Sequence, residues 1–146
     1  YASCCALCEK PLSIPVFATS HFIGDESQDL YRFSDAAMHR ECYANWPEQR
    51  RFAEMYFESV VRHSELEATR DYWPILLKSP DVLVRYGVAV NEVSVLLRAS
   101  GTDLRVPRED WLSWLAGRWR EWCHHDLEVN AVEEVLGELR AVLLPA

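Results

Sequence analysis

Residues 5–8 (CALC) and residues 39–42 (HREC), separated by thirty residues, decide the fold of the first part of this chain. A Cys-x-x-Cys turn brings two thiolates to one side of a tight knuckle. A His and a Cys three residues apart on a helix project from the same face. Together they supply the four ligands that tetrahedral zinc prefers and leave no position for water. The spacing predicts one structural Zn²⁺ bound by Cys5, Cys8, His39 and Cys42.

The cysteine count supports a metal site over a disulfide framework. The chain has five cysteines, an odd number, and three of them lie within five residues. That pattern is typical of a metal-binding knuckle in a reducing compartment, and it predicts a cytoplasmic protein. Cys4 is an alternative partner for Cys8, but Cys-x3-Cys makes a looser knuckle, so Cys5 is favoured. The competing interpretation is a set of buried thiols and a hydrogen-bonded His.

The pattern of ligands resembles the treble-clef class of zinc fingers, and most nearly the first half of a LIM-type module. The resemblance covers residues 4–52 and implies a knuckle, a β-hairpin and a helix whose first turns carry the last two ligands. The gap between the ligand pairs is longer than LIM modules usually have, and no second ligand set follows. The zinc architecture is therefore carried over, and the LIM name is not. So short a hairpin has little core, so the metal should supply much of its folding free energy.

Local patterns predict the remaining elements of this first module. Residues 14–19 and 30–33 have the composition of short strands. Ser34 is expected to cap a helix that runs from Asp35 to about Asn45, and Pro47 either restarts or kinks it. From residue 48 to 63, apolar side chains recur with the three-to-four spacing of an amphipathic helix.

The second half of the chain predicts a sheet followed by two helices. Strands are expected at residues 72–77, 82–90, 93–99 and 103–106, with a turn at 100–102. One helix should run from Pro107 to about Cys123, and Asn130 should cap the last helix. The expected fold class is α+β. We predict a treble-clef module with an extended helix at 1–63 and antiparallel strands plus two helices at 72–146, or one continuous domain formed by both.

Composition excludes several classes of protein. The chain is 49% hydrophobic and 26% charged, which excludes an intrinsically disordered chain. No apolar run approaches the roughly 18 residues that span a bilayer. With 15 basic and 23 acidic residues, the net charge is −8 and the chain repels phosphate backbones, so neither a nucleic-acid partner nor a membrane partner is expected.

Two other groups of polar residues are candidate metal or catalytic sites. Cys123, His124 and His125 are adjacent, but neighbouring His side chains point about 100° apart on a helix, so a polar helix end capped by Asp126 is favoured. His21 precedes three acidic residues in the hairpin loop, namely Asp25, Glu26 and Asp29. These would serve a metal-dependent nuclease, although a solvated acidic loop is favoured. No nucleophile motif or glycine-rich phosphate loop occurs, so neither a catalytic residue nor a nucleotide cofactor is expected.

The tryptophan-rich segment is the candidate contact surface. Residues 111–122 hold four of the six tryptophans. One interpretation is a helix that covers the sheet. The other is an aromatic and arginine surface for a protein partner, formed by Trp114, Arg118 and Trp119. Acidic residues between positions 48 and 71 could then steer a basic partner.

These patterns predict a zinc-stabilised, non-catalytic protein-binding module. Only two of the fifteen basic residues are lysines. Such a preference for arginine is typical of GC-rich genomes and indicates a bacterial source. Within that class we expect a small inhibitor or immunity-type protein acting on a basic partner. The alternatives are a metal-dependent nuclease and a regulatory or adaptor module of a larger assembly. The identity of the partner and the oligomeric state are left open by the sequence.

Overall fold

The computed structural model describes residues 4–146, which form a mixture of helices and antiparallel sheet, in agreement with the predicted α+β class. The chain divides into two compact units, Tyr1–Phe52 and Ala53–Ala146, here called unit 1 and unit 2. None of the helices in the described part of the chain combines the length and apolar character needed to cross a bilayer.

Unit 1 is built around a two-stranded antiparallel hairpin. Strand β1 (Val16–Ala18) pairs with strand β2 (Ala37–His39), with Val16 opposite His39. Helix α1 (Arg40–Asn45) follows β2 directly. Helix α2 (Gln49–Ser64) begins after Pro47, as predicted for a helix that restarts there, and its first turn belongs to unit 1.

The predicted strand at residues 30–33 and the predicted cap at Ser34 are wrong. Residues Tyr31–Phe33 form a 3-10 turn, and the second strand begins only at Ala37. The Ser34 hydroxyl accepts hydrogen bonds from the backbone N–H groups of Phe22 (2.7 Å) and Ile23 (3.2 Å). It therefore holds the incoming loop rather than a helix end, a side-chain role that competes with capping.

Aromatic rings form most of the small core of unit 1. The rings of Phe17 and Tyr43 are stacked with centroids 3.7 Å apart. Phe52 lies edge-on to Phe17 at 6.5 Å, and its centroid is 5.4 Å from that of Trp46. These contacts join β1, α1 and the first turn of α2 around a core of only a few side chains.

Unit 2 contains a four-stranded antiparallel meander. Its strands, in spatial and chain order, are β3 (Ile75–Lys78), β4 (Val82–Gly87), β5 (Glu92–Leu97) and β6 (Asp103–Pro107). Its helices, besides the rest of α2, are α3 (Glu67–Arg70), α4 (Trp111–Ala116) and α5 (Asp126–Arg140). The predicted strand at 82–90 ends early because residues 88–91 form the turn into β5.

Both faces of this sheet are covered by helices of unit 2. Alternate residues of β4 and β5 pack on one face with α4 and α5. On the other face, Leu83 and Leu96 pack against Phe57 of α2. The central strands therefore consist largely of apolar residues instead of alternating with polar ones, as expected of strands buried on both sides.

The single helix predicted from Pro107 to Cys123 is broken into three short pieces. A 3-10 turn (Arg108–Asp110) leads into α4, and a second 3-10 turn (Arg118–Trp122) follows it. Between them Gly117 has φ 148°, a conformation that a helix does not contain and that glycine adopts most readily.

Helix α5 begins at Asp126 rather than at Asn130. The ring of His125 accepts a hydrogen bond of 3.1 Å from the N–H of Leu127 at its Nδ1 atom. A histidine cap thus replaces both the predicted capping box at Asn130 and the predicted cap at Asp126. Asp126 instead lies in the first turn, where its charge complements the helix dipole.

A substitution at Gly87 is expected to disrupt the packing of β4. A Cβ at this position would lie 2.6 Å from Cη2 of Trp73 and 2.8 Å from Cγ2 of Val90. Gly87→Ala should therefore lower the free energy of unfolding by about 1–3 kcal/mol. Gly137→Ala is the matched control, because its Cβ meets open space on α5 and should stabilise the helix by about 0.5–1 kcal/mol. Urea unfolding measures both, and equal changes would contradict the packing argument.

Candidate metal centre

The four predicted ligands converge on one point in unit 1. Cys5 and Cys8 lie in the turn at the start of the described chain, His39 ends β2, and Cys42 lies in the first turn of α1. Their ligand atoms all lie within 4.8 Å of one another. The hairpin explains this arrangement, because pairing of β1 with β2 returns the chain to the knuckle. The backbone bond from the N–H of Ala6 to the carbonyl of Ala37 joins the two segments directly, at 3.0 Å.

The spacing of the ligand atoms fits a tetrahedral ion. Zinc bonds of about 2.3 Å to sulfur and 2.0–2.1 Å to nitrogen place the two donors about 3.6 Å apart in a tetrahedron. The distances from Nδ1 of His39 are 3.4 Å to Sγ of Cys8 and 3.7 Å to Sγ of Cys42. These two distances match that value, and the Cys3His set could hold one metal ion.

The imidazole of His39 is oriented for coordination by a second contact. Its Nε2 lies 3.0 Å from the carbonyl oxygen of Pro11, which can only accept a hydrogen bond. Nε2 therefore carries the proton, and the lone pair of Nδ1 points toward the three sulfurs. This use of the second ring nitrogen is typical of metal-binding histidines.

Cys5, and not Cys4, belongs to the cluster. Its side chain is 1% exposed, and its Sγ accepts hydrogen bonds from the N–H groups of Leu7 and His39, both at 3.4 Å. Burial alone would raise the pKa of this thiol, but backbone N–H donors, including those of Leu7 and His39, outweigh it and lower the pKa to about 6. Cys4 is exposed and its backbone bridges to Pro11 outside the cluster.

The three thiols are electrostatically coupled. Burial, together with the neighbouring thiols of Cys8 and Cys5, raises the pKa of Cys42 to about 11. A thiolate at Cys5 thus disfavours ionisation of the nearby Cys42 thiol, because the two negative charges repel each other. A divalent cation removes that opposition, because metal binding stabilises all of the coordinating thiolates.

The acidic hairpin loop does not form a second cluster. Within residues 4–146, the Cys3His set is the one group of three or more His, Cys, Asp or Glu side chains close enough to hold an ion. Asp29 pairs instead with Arg51 at 2.6 Å, which lowers the pKa of its carboxyl group. Asp25 accepts hydrogen bonds from Ser27, and His21 lies 3.5 Å from the Ser34 hydroxyl.

The cysteine and histidines before α5 have local structural contacts. Cys123 donates to the carbonyl of Trp119 at 3.5 Å. The backbone N–H of His124 donates to the Glu128 carboxylate at 3.0 Å, and His125 caps α5. This arrangement agrees with the predicted polar helix end, although the capping residue differs.

Two members of the predicted partner surface lie in the core of unit 2. Trp114 is 1% exposed and stacks on Trp111 with centroids 5.3 Å apart, and Trp119 is 2% exposed. Neither indole offers a face to a partner, so this part of the prediction is wrong. Arg118 is exposed and pairs with Glu121 at 3.2 Å. The indoles of Trp114 and Trp119 pack in the apolar core between the sheet and the helices that cover it.

Four of the six acidic residues between positions 48 and 71 form ion pairs inside their own unit, and within residues 4–146 Glu67 and Asp71 do not. In unit 2, Arg98 lies 3.0 Å from Glu58 and 3.9 Å from Glu54, and Lys78 pairs with Glu65. In unit 1, Arg51 lies 3.0 Å from Glu48. These carboxylates are therefore weak candidates for steering a basic partner.

Sequence reasoning missed a buried polar network on the α2 face of the sheet. Arg85 is 8% exposed and donates to the hydroxyls of Ser64 at 3.2 Å and Ser94 at 3.4 Å. Ser94 in turn donates to Asp103 at 2.6 Å. Burial lowers the pKa of Arg85, an effect that the nearby Asp103 carboxylate opposes. A single arginine within an apolar strand was the available signal, because such a residue requires partners.

Comparisons of the chain with protein-family models, with curated proteins and with solved structures find no match. The role of the Cys3His site must therefore be argued from its own geometry and from the surfaces around it.

Proposed function

We propose that Cys5, Cys8, His39 and Cys42 bind one structural Zn²⁺ and that the chain acts as a non-catalytic protein-binding module. The observation that carries this proposal is the complete ligand shell. Four protein side chains offer ligand atoms within 4.8 Å of one another, and four such ligands fill a tetrahedral shell and leave no position for water or substrate. Catalytic zinc sites keep such a position open, whereas structural sites do not.

The proposed architecture of this module is that of a treble clef. Support comes from the order of a cysteine knuckle, the hairpin of β1 and β2, and a helix whose first turn carries Cys42. His39 ends the hairpin and also precedes α1, so one backbone junction presents two ligands.

A basic protein is the proposed partner, and α5 carries the surface that fits it. Glu134 and Glu138 are exposed and lie four residues apart, which places them one turn apart on the same side of the helix, and Asp126 is exposed in its first turn. Within the described part of the chain, neither Glu134 nor Glu138 forms an ion pair. Unpaired carboxylates attract a basic surface more strongly than those already neutralised. A small bacterial inhibitor or immunity-type protein is the role we propose for this combination.

Metal analysis separates this proposal from a metal-dependent nuclease. Protein purified without added metal should contain one zinc per chain by elemental analysis, and added Mg²⁺ or Mn²⁺ should bind no further site. Hydrolysis of a nucleic acid that depends on a second, exchangeable ion would overturn the non-catalytic assignment. Absence of zinc from folded wild-type protein would overturn the metal assignment.

Charge reversal on α5 tests the proposed binding surface. The double variant Glu134→Lys/Glu138→Lys should bind a lysine-rich probe peptide about tenfold more weakly than wild type at low salt, and the difference should shrink as salt is added. Glu67→Lys/Asp71→Lys is the control, because it changes the net charge equally at exposed positions on and beside α3. Equal weakening by both pairs would mean that net charge, and not this surface, governs binding.

A further inference from the structure

Unit 2 contains a cleft that none of the foregoing assigns to a function. It has a volume of about 550 Å³ and lies between α2, the turn after β3 and the end of β5. That volume is within the range of pockets that hold small molecules. The cleft is separate from the metal site, whose ligands all belong to unit 1.

One wall of the cleft is apolar. Phe57 and Val61 lie one turn apart on α2, and Pro80 faces the cleft from the turn between β3 and β4. The guanidinium of Arg98 stands over the Phe57 ring with its central carbon 5.5 Å from the ring centroid. Arg98 also donates to the carbonyl of Pro80 at 3.5 Å, so it is held against this wall.

The charges that line the cleft do not balance. Three cations, Arg62, Lys78 and Arg98, face two carboxylates, Glu58 and Glu65. Arg98 is paired with Glu58 and Lys78 with Glu65. Both carboxylates are thereby engaged, and Arg98 also lies 3.9 Å from Glu54, which is not part of the lining. The third cation is therefore distinguished by its lack of a partner.

Arg62 is that third cation. It lines the cleft from the last turn of α2 as an exposed residue, and its guanidinium forms no hydrogen bond or ion pair with another residue in the described part of the chain. The chain as a whole has a net charge of −8, so an uncompensated arginine beside an apolar wall is a local exception. A guanidinium binds a carboxylate through two parallel hydrogen bonds, which an ammonium cannot offer in the same geometry.

We propose that this cleft binds a small organic acid with an apolar tail. The carboxylate pairs with Arg62, and the tail lies along Val61 and Pro80, because Phe57 is only 3% exposed and offers it little surface. Arg98 and Lys78 border the site, but each is already paired with a carboxylate. Arg62 is therefore the one cation of the lining that is available to a ligand, which favours a monoanion over a polyanion. This inference does not depend on the proposed zinc or on the proposed protein partner.

Octanoate is the probe that tests the chemistry of the site. Titrated into the zinc-loaded full chain and followed by NMR, it should bind saturably with a Kd on the order of 1 mM. Octanol and octylammonium have the same tail without the negative charge, and should bind at least about tenfold more weakly. Acetate, which lacks the tail, should also bind at least about tenfold more weakly.

A matched pair of variants tests the assignment to Arg62. Arg62→Gln replaces the guanidinium with a neutral polar amide and keeps good helix propensity, so it should weaken octanoate binding about tenfold or more. Arg70→Gln makes the same charge change at an exposed position on α3 and should leave the affinity unchanged. Thermal unfolding of both variants checks that the fold is retained.

Several results would overturn the proposal. These are the absence of saturation, equal affinity for octanoate and octanol, and equal affinity of wild type and Arg62→Gln. A leucine-terminated peptide that binds at least about tenfold more tightly than octanoate would assign the cleft to the carboxyl terminus of a partner chain instead. Failure of the chain to bind zinc would not by itself count against this proposal, because all residues that line the cleft belong to unit 2 and none is a proposed zinc ligand.

Discussion

Replacement of Cys8 by Ser is expected to abolish zinc binding and to unfold unit 1. The two strands of this unit have three residues each, and few of its apolar side chains are buried. Structural zinc in small modules contributes about 10–16 kcal/mol of apparent binding free energy, which exceeds what so small a core supplies. The loss should appear as rapid amide hydrogen exchange throughout residues 4–52, together with loss of bound zinc in elemental analysis.

Cys4→Ser is the matched control for this experiment. It makes the same chemical change four residues earlier, at an exposed position outside the cluster. It should keep one zinc per chain and slow exchange in unit 1. Removal of zinc from wild type with a chelator should reproduce the Cys8→Ser pattern. Slow exchange in unit 1 after complete loss of zinc would show that the metal does not hold the module together.

Trp114→Ala is expected to lower the free energy of unfolding of unit 2 by about 3–5 kcal/mol. The indole is 1% exposed and packs among the residues that join α4 and α5 to the sheet. Its removal loses buried apolar surface and leaves a cavity, and both effects are destabilising. Urea unfolding followed by circular dichroism measures the change.

Leu112→Ala provides the control on the same helix, two residues away. Leu112 is 79% exposed, so its truncation should change the free energy of unfolding by no more than about 0.5 kcal/mol. If Trp114→Ala kept full stability but weakened binding of a partner, the earlier interpretation of this tryptophan as a contact residue would return.

Local patterns predicted much of unit 1 and of the candidate metal site correctly. Cys-x-x-Cys and His-x-x-Cys each place two ligands within a few residues, so the donor set followed from spacing. The predicted position of His39 on the helix was wrong, because His39 ends β2 and only Cys42 lies in α1. The choice of Cys5 over Cys4 also agreed, because the tighter knuckle is a local property. The second hairpin strand was predicted at residues 30–33, where the chain forms a 3-10 turn. The predicted cap at Ser34 was wrong because its hydroxyl binds the N–H of Phe22, twelve residues earlier in the chain.

In unit 2 the sequence predicted which strands and helices exist, but it did not predict which side chains of the helices face the sheet. Runs of Val and Leu predicted β4 and β5, and the turn at 100–102 predicted the approach to β6. Whether Trp114 and Trp119 face solvent or the sheet depends on how a broken helix lies across it. That break occurs at Gly117, which the periodicity of the neighbouring residues concealed.

The sequence by itself determined the ligand set, the α+β composition and the acidic character of the chain. These properties depend on residue identity and on spacing over a few positions. Only the tertiary structure decided that Trp114 and Trp119 are core, that Arg98 and Lys78 pair with three residues of the acidic run, and that Arg62 is left without a partner beside an apolar wall. Each of these depends on contacts between residues far apart in the chain, whose partners are chosen by packing and charge when the sheet and helices come together.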